Sequence, residues 1–119
     1  MDLKELIAQK KKSRHPWEQA RLELIHKKVE KHLNHHIAPV FLDIGCGDTY
    51  VAEQLIERIP NCTFYCIDNA FTETQLLYFS QKHKNTKIKV FNKLEEAIAQ
   101  IDSEISFVLI LDVLEHVKN

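Results

Sequence analysis

Residues 40–60 constrain the fold more than any other stretch. An apolar run, Val40-Phe41-Leu42-Asp43-Ile44, meets Gly45-Cys46-Gly47 and passes at once into a helical pattern carried by Val51, Ala52, Leu55, Ile56 and Ile59, closed by Pro60. A short apolar run without polar alternation suits a strand covered on both faces, and apolar spacings of three and four suit an amphipathic helix. The segment therefore predicts strand, tight turn, helix. The same alternation continues downstream. A second run, Thr63-Phe64-Tyr65-Cys66-Ile67, ends at Asp68, and Thr72-Glu73-Thr74-Gln75 has the spacing of a capping box that opens the next helix. A third strand over residues 88–91, a short helix over 94–101 and a fourth strand over 105–111 complete it. Strands alternating with helices predict an α/β, Rossmann-like parallel sheet with helices on both faces.

The chain of 119 residues is 45% hydrophobic, enough for one core and too short for two ordinary domains. Its charge is uneven. Nine Lys/Arg face five Asp/Glu in residues 1–35, whereas seven face twelve in the remainder, so a basic N-terminal segment precedes an acidic body. Pro16 fits the first turn of a helix that continues to about His36, with Leu22, Ile25, Val29 and Leu33 on one face. Residues 1–38 are thus expected to form a basic amphipathic helical segment and residues 39–119 the α/β domain. The lysines at 10–12 lack interleaved aromatics, so they predict a solvated flank rather than a nucleic-acid arm. Trp17, with Arg21 one helical turn away, is expected to be an ordinary packed tryptophan rather than part of a helix that covers a ligand cleft. The N-terminus carries no signal-peptide pattern and no run approaches the roughly 18 apolar residues of a membrane span, which predicts a cytoplasmic protein. Cys46, Cys62 and Cys66 are expected to be buried, reduced thiols rather than a disulfide framework or a metal site.

Ligands of open parallel sheets bind at the carboxyl ends of the strands, and the notable polar residues gather there. Asp43 to Asp48 follow the first strand, Asp68 and Asn69 the second, Asn92 the third, and Asp112 to His116 the fourth. Gly45 and Gly47 can take backbone angles closed to other residues and let a ligand approach the main chain. A dinucleotide site would continue the pattern as G-x-G-x-x-G, but Tyr50 holds the third glycine's place, and Asp43 and Asp48 add negative charge where a diphosphate needs the opposite. A cationic cofactor without phosphate suits this loop better. Asp68, 21 residues beyond Gly47, is placed to accept hydrogen bonds from both hydroxyls of a ribose.

These motifs carry a resemblance. V-F-L-D-I-G-C-G-D at residues 40–48 resembles motif I of the class I S-adenosyl-L-methionine (SAM) dependent methyltransferases. Y-C-I-D-N at 65–69 resembles their acidic post-I motif, and F-V-L-I-L-D-V-L-E-H-V at 107–117 their fourth-strand motif. The resemblance implies a SAM-binding Rossmann-like domain over 39–119. It implies that Gly45, Cys46 and Gly47 pass close to the methionine part of SAM, with Asp43 ordering the loop and the ligand's amino group. By the same resemblance Asp68 binds the ribose, Asn69 borders the adenine, Asn92 sits near the position where the family often uses an acidic residue to bind the adenine amine, and Asp112 lines the methionine end.

Two departures stand out. The family often carries a further glycine where Thr49 stands, and Thr49 is expected instead to cap the following helix. The family fold has seven strands whereas four are expected here, so the chain is expected to be a truncated piece or to complete its sheet through another molecule, such as a second copy in a homo-oligomer. The implied reaction is methyl transfer to an acceptor, most simply a small molecule; a SAM-binding module that is non-catalytic or completed by a partner is the alternative, and a metal-dependent RNA 2′-O-methyltransferase-like domain a further one. The D-x-x-E-H spacing of Asp112, Glu115 and His116 is similar to the E-x-x-E-H metal motif of small-RNA 3′-end 2′-O-methyltransferases. Small-molecule methyltransferases share the D-V-L-E-H-V run without that use, so no metal ligand is assigned, and His116 is expected to be structural rather than a general base.

Overall fold

The computed structural model describes residues 16–33 and 37–110. The chain divides between Ile37 and Ala38 into two units. The first contains helix α1, Pro16–Lys31, with Leu22, Ile25 and Val29 buried along one face. It stops short of the expected His36, because the N–H groups of His32 and Leu33 turn back to the carbonyls of Val29 and Glu30 and tighten the last turn. The expectation of a packed tryptophan is corrected: Trp17 is 51% exposed, and the Arg21 guanidinium lies 5.6 Å from the ring centroid.

The second unit is the predicted alternation. Strand β1 (Val40–Ile44) leads to helix α2 (Tyr50–Arg58), β2 (Thr63–Ile67), α3 (Glu73–Lys82), β3 (Ile88–Phe91), α4 (Leu94–Gln100) and β4 (Phe107–Leu109). The strands form one sheet in the order β3-β2-β1-β4. All its pairings are parallel, with Phe41 beside Phe64 and Phe107, and Phe64 beside Ile88. Parallel crossovers are right-handed. Since β1, β2 and β3 advance in one direction and β4 lies on the other side of β1, α2 and α3 cover one face and α4 the other.

Side-chain alternation then sorts the core. Val40, Leu42, Tyr65, Ile67 and Phe91 pack with Ala97 of α4 on one face. On the other, the rings of Phe41, Phe64 and Phe107 stack across three strands, with centroids 4.4 and 4.9 Å apart. Phe41 and Phe64 are fully buried, as are Ala52 and Leu55 of α2 and Phe79 of α3. The fourth strand is shorter than the expected 105–111: only Phe107–Leu109 pair with β1, and residue 111 lies outside the described residues. Among the described residues no helix is long and apolar enough to cross a membrane.

Candidate cofactor site

All the strands point the same way, so their carboxyl ends share one edge. The chain builds outward from β1 through β2 to β3 and then returns to the far side of β1, which places the switch in strand order between β1 and β4. That is where an open sheet leaves a crevice. The loop leaving β1 at this point is Gly45 to Thr49.

Gly45 and Gly47 adopt φ of 77° and 59°, angles at which a Cβ would crowd its own backbone. The amides between them have defined partners. Gly45 and Cys46 both donate their N–H to the carbonyl of Ile67, at 2.7 and 3.1 Å, and Gly47 donates to Asp68 Oδ2 at 2.9 Å. Three successive N–H groups therefore turn toward the end of β2. A phosphate would need those donors, and here the chain itself uses them.

Asp68 ties the edge together. Its Oδ1 accepts from the N–H of Ala70 at 3.0 Å, and its own N–H donates to the carbonyl of Phe91 at 3.1 Å. One half-buried side chain thus fixes the loop after β1 and the turn after β2. The two amides occupy two of the roughly four acceptor positions that a carboxylate offers.

Thr49 departs from its expected role. It stands at the N-cap position of α2, but its φ is 66° and its side chain makes no capping bond. The first amide of the helix, that of Tyr50, instead donates to Asp48 Oδ1 at 3.2 Å. Left-handed backbone puts the Cβ of a β-branched residue against a carbonyl, at a cost of about 1–2 kcal/mol. The further glycine of the resembled pattern would meet the same backbone demand without that cost. Thr49 is instead fully buried, its hydroxyl donating to Glu53 Oε2 at 2.6 Å and lying 3.0 Å from His83 Nε2.

A pocket of about 340 Å³ opens beside the loop, lined by Ile44, Gly45, Ile67, Asn69, Asn92, Lys93, Leu94 and Glu95. Its size falls in the range of about 300–1,000 Å³ usual for small-molecule sites. Of the residues singled out in the sequence, Gly45, Asn69 and Asn92 line it together, with Asn69 exposed and Asn92 half-buried. Gly47 and Asp68 form the adjoining edge rather than the wall, and Asp43 and Cys46 are buried. Asp112 lies outside the described residues, as do Glu115 and His116. The apolar floor of Ile44 and Ile67 and the wall of Lys93 to Glu95 had not been singled out. Extending the strand-end rule past Asn92 into the first turn of α4 would have found the latter.

Behind the loop, Asp43 is 3% exposed within β1, in register with Cys66 and Leu109. The three cysteines are buried and free of disulfides. Burial, then contact with Cys66 and the charges of Asp43 and Asp68, hold the Cys46 thiol well above its ordinary value. Cys66 has a hydrogen bond with Cys46 pulling its value down, but burial and the charges of Asp43 and Glu53 outweigh it and the net shift is upward. These thiols are packing groups, not nucleophiles.

No protein-family model matches the chain. It is similar to curated proteins named ubiquinone biosynthesis O-methyltransferase. Those of two Rickettsia bellii strains are 32% identical over 101 residues, which covers 83% of this chain and 40% of theirs. That of Rickettsia felis is 33% identical over 101 residues, 83% of this chain and 39% of its own length. The chain spans about 40% of the length of the curated relatives it matches.

Proposed function

We propose that this chain is a methyltransferase-family domain, as its similarity to the O-methyltransferases supports, and that residues 39–119 bind S-adenosyl-L-methionine along the loop Asp43 to Gly47 and the edge formed by Asp68, Asn69 and Asn92. The observation that carries the reading is the hydrogen bonding of the loop: the amides of Gly45, Cys46 and Gly47 are spent on Ile67 and on the Asp68 carboxylate. A loop with its donors turned inward and a carboxylate at its rim disfavours a diphosphate and favours a cationic, phosphate-free ligand. Open faces at the two glycines fit a ligand that approaches the main chain closely.

Each residue then has a task. Gly45, Cys46 and Gly47 border the methionine part, and Asp43, buried beneath them, orders the loop. Asp68 uses its remaining acceptor positions for the ribose hydroxyls. Asn69 and Asn92 lie together in the pocket wall, where their amides can pair with the edge of a purine. Asp112 is proposed for the methionine end. When bound, SAM supplies a methyl group already activated on sulfonium sulfur, so the work left to the chain is to hold, orient and exclude water. The relatives' names support an oxygen acceptor from ubiquinone biosynthesis, a small molecule. Donor binding is the part of the reaction assigned to these residues.

Equilibrium dialysis with labelled SAM tests the reading. Asp68→Ala removes charge-assisted hydrogen bonds worth about 1.5–3 kcal/mol, so retention should fall roughly tenfold to a hundredfold with the fold preserved. Undiminished retention by the variant would remove Asp68 from the site.

A further inference from the structure

Behind the loop lies a polar cluster that the cofactor reading does not use. Thr49 Oγ1 donates to Glu53 Oε2 at 2.6 Å, and the same carboxylate oxygen receives Lys82 Nζ at 2.9 Å. Because the single hydroxyl proton of Thr49 goes to Glu53, which as a carboxylate only accepts, the contact of 3.0 Å between Thr49 Oγ1 and His83 Nε2 has the imidazole N–H as its donor. His83 Nε2 also lies 3.5 Å from Glu53 Oε2. The imidazole side chain is only 4% exposed and its ring stacks on Phe79, with centroids 6.5 Å apart. This cluster joins the first turns of α2 to the end of α3. Its centre is the non-glycine residue of the loop with a left-handed backbone, and Thr49 is also bonded to the loop by its N–H, which donates to the carbonyl of Cys46 at 3.3 Å.

We propose that His83 and Glu53 are positioning residues: by gripping the Thr49 hydroxyl from two elements they hold its backbone left-handed and thereby fix the glycine loop in the shape that receives the cofactor. Where a glycine would allow that backbone without support, this chain uses a threonine and supplies the support from α2 and α3. Lys82 anchors Glu53 from the same end of α3. The consequence for SAM rests on the cofactor reading above; the consequence for the loop does not.

Residue-resolved amide hydrogen exchange on the ligand-free chain tests it. His83→Phe keeps the ring on Phe79 but removes the donor, and should speed exchange at Gly47 and Thr49 by about tenfold while the amides of β1 and β2 keep their rates. Glu53→Ala should loosen the same amides. His83→Gln, which returns an N–H donor near the Nε2 position, should bring the loop back to within about threefold of the parent. In the Thr49→Gly background, where no grip is needed, His83→Phe should change loop exchange by less than about twofold, the non-additivity expected of a route through Thr49. Loop exchange unchanged by His83→Phe, accelerated equally in the strands, or accelerated equally in the Thr49→Gly background would overturn the proposal. Calorimetric titration of the same proteins with SAM separates the two readings: a parent chain that does not bind removes the cofactor assignment, while the exchange rates still decide the role of His83.

Discussion

At the scale of single residues, burial and backbone angle decide what each side chain does. Burial, opposed weakly by its own backbone hydrogen bond and by Lys87, pushes the Cys62 thiol up to about 11 from an ordinary value of 9.0. In the window between those values the folded chain keeps a proton that the unfolded chain has lost, so stability is full below pH 9 and falls as pH rises toward 11. The urea midpoint should drop across that window, and Cys62→Ala should flatten the decline. At pH 8 the native thiols should resist iodoacetamide for far longer than the same thiols in urea, because the thiolate is the attacking form. Thr49 gives a second prediction. Thr49→Ala loses the hydroxyl but keeps the Cβ at a φ of 66°, whereas Thr49→Gly loses both. The glycine variant should therefore be the more stable of the two by about 1 kcal/mol in urea unfolding, the reverse of the order inside a helix.

At the scale of elements, local rules hold wherever local chemistry is sufficient. The capping box predicted from Thr72 and Gln75 is present in both directions: the Gln75 N–H donates to the Thr72 hydroxyl at 3.2 Å and the Thr72 N–H to the Gln75 side chain at 2.9 Å. Thr72→Ala should cost about 1 kcal/mol in thermal unfolding. Strands β1, β2 and β3 coincide with the runs read from the sequence, since short apolar stretches bounded by Gly, Pro and Asp have few other structures open to them. Where a boundary or a role depends on distant partners, the sequence was less informative. The side-chain role of Thr49 was not legible because its hydroxyl, besides donating to Glu53, accepts from His83, 34 residues away, and no local pattern encodes that contact. Trp17 was misread because helical spacing shows which residues share a face but not whether that face is covered.

At the scale of the whole molecule, the order β3-β2-β1-β4 gathers residues from separate strand ends into one edge. The clustering of polar residues at those ends was legible in the sequence because parallel strands, once recognised, must all end on the same side. The pocket wall from Lys93 to Glu95 was not, because it depends on how α4 leaves β3. The face built on Phe41, Phe64 and Phe107 holds the edge in place. Phe41→Ala at its centre should cost about 3–5 kcal/mol and carry ligand binding away with the fold. This edge is proposed to receive a cationic nucleoside cofactor without phosphate. Calorimetric titration of the 119-residue chain with SAM, S-adenosylhomocysteine and NAD tests it most directly. Saturable binding of SAM and S-adenosylhomocysteine and none of NAD is expected; binding of NAD alone, or of none of the three, would contradict that proposal.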